Sequence, residues 1–284
     1  MTVPLAVDFD SPGDFAIFIL NILIATTTVI VAGSVVIAIL CTKSLRTENR
    51  FIFMLNTSIS DTLSGLTWCY TGIFGVREAY PMKNGTYSIA PALLGVNFVT
   101  ILAAQVYRFF AVRSPFRYHR LITLPATIAV CVYSWVHNYA LVIVLNLLTS
   151  ALAAKVNAGL TVTANISCIF IMIGLNIKLY LIAKYQLDRD PQNPEVESRK
   201  ASVQLIVVVA ACFLILWSPG LINTCLCSFT TVCFTARNAA VNPITILIRG
   251  NTIATPILYI VCSPALKGAV LTTVFKHCRK FKKS

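Results

Sequence analysis

The sequence predicts an all-α protein: a bundle of seven transmembrane helices followed by a short amphipathic C-terminal helix. Three observations predict it. Of 284 residues, 57% are hydrophobic and only 12% are charged, against roughly 45–50% and about 25% in soluble domains; mean hydropathy is +0.79. Uncharged runs long enough to cross a bilayer core of roughly 30 Å, which takes about 20 helical residues, recur along the chain. Lysine and arginine gather between those runs in clusters that alternate in size. A disordered chain and a soluble enzyme are thereby excluded. The net charge of +13 reports membrane topology rather than a nucleic-acid partner.

Residues 1–14 carry Asp8, Asp10 and Asp14 without a basic start, and read as a short N-terminal segment rather than a cleaved signal peptide. Five spans are uncharged: Phe15 to Thr42, Asn84 to Tyr107, Leu121 to Ala154, Val156 to Ile177 and Ala201 to Ala236. Two more are each interrupted by one charge, Phe51 to Val76 by Asp61 and Asn238 to Leu266 by Arg249. The run Leu121 to Ala154 is too short for two spans and a turn. Gln186 to Arg199, with acids, bases and two prolines, reads as a solvated linker, and a tail begins at about residue 263. The whole chain, 1–284, is expected to form one domain.

If the loops alternate sides, 18 of the 23 basic residues fall on one side, from Lys43 through the tail to Lys283. The other side holds Arg77, Lys83, Lys155 and Arg237, and Arg249 lies within a span. The positive-inside bias then places the N-terminus outside and predicts a multi-pass cell-membrane protein.

Several residues carry chemistry on physical grounds alone. Asp61 within hydrocarbon is costly unless paired, hydrated or ion-bound. Pro219 and Pro256 each remove a backbone hydrogen bond inside a span and make hinges. Arg249 lies seven residues before Pro256, about 10 Å along a helix, and a buried guanidinium seeks a bidentate anion. It is therefore a candidate ligand-binding residue for a carboxylate, phosphate or sulfate; pairing with Asp61 or Glu78, or snorkelling to water, is the alternative. Ten scattered cysteines imply no disulfide framework and no metal site. His119, His137 and His277 do not converge on a catalytic centre, so no enzyme is expected. Asn84-Gly-Thr86 is a glycosylation sequon on the outer side. Cys278 among Lys276, Arg279, Lys280, Lys282 and Lys283 is a palmitoylation candidate beside a cluster suited to anionic membrane lipid.

A set of short motifs resembles rhodopsin-like (class A) G-protein-coupled receptors from roughly Phe15 to Lys280. Leu55-Asn-Thr-Ser-Ile-Ser-Asp61 is similar to the family's second-span segment. Tyr107-Arg108 with Ser114-Pro-Phe-Arg-Tyr118 resembles the Asp/Glu-Arg-Tyr motif and its loop, and Trp135 stands where the fourth-span tryptophan does. Phe213-Leu-Ile-Leu-Trp217-Ser-Pro219 resembles Phe-x-x-Cys-Trp-x-Pro, and Thr255-Pro256-Ile-Leu-Tyr259 stands in place of Asn-Pro-x-x-Tyr.

The resemblance implies a receptor that binds an extracellular ligand and activates heterotrimeric G proteins, with no cofactor beyond a sodium ion acting allosterically. Asn97, Asn251 and Thr252 would converge on Asp61 around that ion; a hydrogen-bond knot without an ion is the alternative. Trp217 would meet ligand at the floor of an outer cavity. Tyr180 and Tyr259 would approach through water when the sixth span swings, opening a crevice beside Arg108 for the G-protein alpha subunit. The ligand could be a small molecule, a lipid, a peptide or an odorant.

Departures from the family pattern matter too. Tyr107 replaces the acid before Arg108, and Arg199 and Lys200 stand where a carboxylate would lock it, which implies raised basal signalling or failed coupling. Ser34 and Thr255 replace two asparagines. The usual disulfide lacks both partners; Cys227 and Cys233 could bridge locally, with Cys225 as competitor and free thiols as the alternative. A multispanning transporter or channel, or a receptor-like protein that no longer signals, are the rival readings.

Overall fold

A computed structural model describes residues 12–73, 89–113, 122–148, 150–189, 194–229 and 243–275. Among them the chain is almost wholly helical, with no strand. The order is α1 (Pro12–Cys41), α2 (Lys43–Arg46), α3 (Asn49–Ile73), α4 (Ile89–Arg113), α5 (Leu124–Leu147), α6 (Ser150–Arg189), α7 (Pro194–Phe229), α8 (Pro243–Cys262) and α9 (Pro264–Val270), which runs into a π-helical turn at Leu271–Phe275.

Four helical segments among the described residues have the length and apolarity to cross a membrane: Pro12–Cys41, Ala92–Ala111, Leu124–Val144 and Val203–Gly220. A fifth arises if Ile246–Cys262 and Pro264–Val274, meeting at 105°, are taken as one broken span. These helices mark a membrane-embedded, multi-pass protein. The polarity of α3 has a structural cause: Asn56, Thr57, Ser58, Ser60, Asp61 and Ser64 are all buried. Its polar face looks into protein. In α6 the apolar part is Ile166–Ile182.

Apolar side chains gain little from leaving lipid, so helix association there depends on close backbone approach and hydrogen bonds. The outward faces accordingly stay greasy, with Ile30, Phe170, Ile215 and Val261 exposed. Two glycines mark the tightest approaches. A Cβ on Gly65 would stand 2.8 Å from Val29 Cγ2 and 3.1 Å from the Ala25 carbonyl, which brings α3 against α1. A Cβ on Gly220 would stand 2.7 Å from Ile248 Cδ1, so α7 meets α8 one residue past Pro219. α8 returns to α1 and α3, while α4 touches α3, α5, α6 and α7 from the middle.

One end of the bundle carries the largest apolar core. Val35, Ile39, Leu45, Phe51, Met54, Leu205, Val209 and Tyr259 meet Leu266, Ala269 and Val270 of α9 there. The i, i+3, i+4 spacing of those three α9 residues gives the helix one apolar stripe, while Lys267 faces out. The sharp bend before α9 follows from Pro264, whose ring pushes Ser263 out of helical conformation; Ser263 is extended, at φ −121 and ψ 99.

Three boundaries differ from expectation. Lys155 does not end a span, because the turn between α5 and α6 falls near Leu148 and the chain is already helical from Ser150 through Lys155. Ala151, Leu152, Ala153 and Ala154 are strong helix formers that one lysine does not interrupt. Gln186 to Arg199 is largely helical too, since α6 continues to Arg189 and α7 starts at Pro194. Proline at a helix start, followed by Glu195 and Glu197, suits that terminus. The amphipathic helix expected from Ser263 to Lys283 is described only as far as Phe275.

Candidate functional site

The deepest polar centre is built on α3. Asp61 is fully buried, and Asn97 Nδ2 of α4 donates to its Oδ1 at 2.5 Å. The other carboxylate oxygen, Oδ2, is buried without a hydrogen-bond partner, as are Ser58 Oγ, Ser64 Oγ, Asn97 Oδ1 and Asn251 Oδ1. Ser58 and Ser64 lie three residues before and after Asp61, hence on the same helix face. Buried polar atoms are nearly always satisfied by protein, water or an ion. A carboxylate with amide and hydroxyl oxygens around it is a donor set for a hard cation. Asn251 and Thr252 are buried on α8, which packs against α3. The Thr252 hydroxyl, however, donates to the Arg249 carbonyl at 2.8 Å and lies 3.4 Å from the Thr28 hydroxyl of α1.

Arg249, 3% exposed, occupies a second centre. Its Nη1 donates to Asn21 Oδ1 of α1 in a short contact, and its guanidinium stands 5.3 Å over the ring of Trp68 on α3. No carboxylate among the described residues pairs with it. Asp61 is therefore not its counter-ion; Glu78 lies outside the described residues. Asn21 and Trp68 had no signal in the sequence beyond a polar residue in span one and an aromatic two turns beyond Asp61.

Toward the α2 and α9 end, a cavity of about 420 Å³, counting the space open at its mouth, is lined by Arg50, Thr57, Tyr107, Arg108, Ile206 and Tyr259 among others. It draws on α3, α4, α7 and α8. Tyr107 does not offer a charge to Arg108 but a ring: the guanidinium lies 5.7 Å over it, and Tyr107 packs edge-on to Phe53 at 5.5 Å. The Thr57 hydroxyl sits 3.2 Å from that of buried Tyr259. Tyr180 is exposed on α6, and no contact joins it to Tyr259. Arg50 Nε pairs with Glu48 Oε2 at 2.6 Å at the rim.

Between these ends, Trp217 stacks on Phe98 of α4 at 5.3 Å and touches Phe213 at 5.3 Å, while Phe98 and Phe213 lie 5.7 Å apart. Its indole Nε1 is buried without a hydrogen-bond partner. Pro219 lies inside α7 two residues on, and Pro256 lies buried inside α8.

Two polar links escaped sequence reasoning. Asn56 donates to Thr100 at 2.8 Å and to Ser134 at 3.3 Å and accepts from Trp135 Nε1 at 2.8 Å, knotting α3, α4 and α5. Gln105 Nε2 donates to Asn176 Oδ1 at 2.6 Å, and Asn176 Nδ2 reaches the Val207 carbonyl at 3.4 Å, chaining α4, α6 and α7. Neither has a spacing within one helix that would reveal it.

Asn84, Cys233 and Cys278 lie outside the described residues, as do the side chains of Cys225, Cys227, Arg199 and Lys200 within α7. Cys41, Cys69, Cys131, Cys168, Cys212 and Cys262 are free thiols. Comparison with protein-family models and with curated proteins finds no match to this chain, so the functional reading rests on these residues.

Proposed function

We propose that the chain is a seven-span receptor of the rhodopsin-like (class A) type, set in the cell membrane with its N-terminus outside, which binds an extracellular ligand and activates heterotrimeric G proteins. The observation that carries this reading is the cavity at the α2 and α9 end, which brings Arg108 of α4, Tyr259 of α8 and Ile206 of α7 to one opening. A partner helix can enter there only if α7 moves away, and α7 contains the proline that permits it. Ligand would act from the opposite end through Arg249 and Trp217, and Trp217 passes its contacts to Phe213 and Pro219 on the same helix. Sodium at Asp61, Asn97, Ser58 and Asn251 would favour the closed packing, since a cation there ties α3, α4 and α8 together.

The test is nucleotide exchange by purified G proteins of each alpha class on the full chain in lipid nanodiscs, without ligand. Exchange above that with empty nanodiscs, lost in Arg108→Ala and reduced by sodium in the wild type but not in Asp61→Asn, is expected. Exchange at the empty-nanodisc level with every alpha class would overturn coupling and leave a receptor-like protein that no longer signals.

A second reading, ion translocation, is favoured by one observation. Buried polar residues run along α1, α3, α4 and α8 from Asn21 and Arg249, past Asp61 and Asn97, to Thr57 and Tyr259. Uptake of radioactive sodium into proteoliposomes under a gradient decides it: a receptor gives none, whereas a transporter gives uptake that Asp61→Asn abolishes.

A further inference from the structure

Among the described residues, Arg249 has no counter-charge. A guanidinium has five N–H donors and no acceptor. This one is 3% exposed, gives Nη1 to a neutral amide oxygen on Asn21, lies over the neutral ring of Trp68, and keeps Nε buried without a partner. Asn21 and Trp68 are themselves buried, at 2% and 5%. Ala25, Cys69 and Leu94 pack on Trp68, while Asn21 Nδ2 donates to the Ile17 carbonyl at 3.0 Å. Asp61 does not serve: it forms no ion pair with Arg249 and lies seven residues from Trp68 on the same helix, about 10 Å along the axis. A buried charge without a counter-charge is strongly unfavourable. The Trp68 ring covers one flat face of the guanidinium but leaves its edges, where anions bind in the plane.

We infer that Arg249, Asn21 and Trp68 form an anion site between α1, α3 and α8 that takes a compact monoanion, chloride or a small carboxylate such as formate. Burial argues for a small ion: all three side chains are nearly inaccessible, and the close α1–α3 approach at Gly65 lies one turn from Trp68. The apolar neighbours favour an ion that sheds water readily. The idea refines the ligand class of the proposed receptor and rests on that reading for access from outside, but anion binding itself requires no signalling.

The experiment is the thermal midpoint of the purified full chain in nanodiscs, at constant sodium and ionic strength, as bulky gluconate is replaced by chloride or by formate. A saturable rise of several degrees is expected in the wild type with at least one of the two, and their separate curves tell halide from carboxylate. Arg249→Gln should melt independently of the anion, and Asn21→Ala should weaken the apparent affinity about tenfold. If Arg249→Gln does not fold, Arg249→Lys, which keeps the charge but loses the planar edge, should respond with weaker affinity. Asp61→Asn should keep the full response, which separates this site from the cation centre; lost G-protein exchange with the anion response intact would sink only the receptor reading. Equal midpoints in all three anions would overturn the inference. So would an undiminished response in Arg249→Gln, or in Arg249→Lys if the former cannot be made. A wild type blind to anions, with Glu78→Gln melting as low as Arg249→Gln, would assign Arg249 an internal partner instead.

Discussion

The α1, α3 and α8 side of the molecule and the α6 and α7 side are held by different physics. On the first, hydrogen bonds run between helices at several depths: Asn21 with Arg249, Thr28 with Thr252, Thr57 with Tyr259. On the second, among the described residues, α7 meets α4 through the ring cluster of Phe98, Phe213 and Trp217, through Phe109 clustered with Val203 and Val207, and through the amide chain Gln105–Asn176–Val207. Rings can slide, and one amide chain can part. Buried polar contacts on several levels cannot be exchanged without leaving several groups unsatisfied at once. The difference teaches which half would stay put if the proposed receptor changes shape.

Four substitutions probe this contrast, in falling order of effect. Phe213→Ala removes a fully buried ring from the α4–α7 contact and should cost about 3 kcal/mol, read as a lower midpoint in thermal or chemical unfolding; a loss confined to well under 1 kcal/mol would mean that the ring cluster is not what holds α7. Gly65→Leu forces a side chain against the Ala25 carbonyl and Val29, with an expected loss of about 2 kcal/mol, and it should not open the α7 end. Gln105→Leu leaves Asn176 without its acceptor role filled, for about 1 kcal/mol. Its sharper readout is the distance between spin labels at the Arg113 end of α4 and the Pro194 end of α7, which should lengthen or broaden; an unchanged distribution would show the amide chain to be passive. Trp217→Phe should be nearly silent in stability, within about 0.5 kcal/mol, because the indole N–H it removes has no partner.

Charge and hydropathy made much of the helical plan legible. Asp61 and Arg249 stood out as ionisable residues in apolar runs, and both prove fully or almost fully buried. Helix ends were read less well because charges were taken as boundaries, whereas Lys155 and Lys178 sit inside α6. Partners across helices were mostly illegible. Asn21 and Trp68 meet Arg249 from 228 and 181 residues away in the sequence, and an isolated asparagine in an apolar run announces nothing until its neighbour is known. Ser58 and Ser64 were readable in principle, since their three-residue offset from Asp61 puts them on its face.

The contact of Gly220 with Ile248 makes a fulcrum. From Gly220 back to Pro194, α7 extends over 26 residues, a lever of about 39 Å at the usual helical rise. A tilt of about 10° at that point, too small to disturb most neighbouring side chains, carries the far tip roughly 7 Å sideways. Shortening the arm would reduce the throw in proportion, so if the proposed receptor swings α7 about this point, the length of the rod would turn a modest rearrangement near Trp217 into a wide displacement at its Pro194 end.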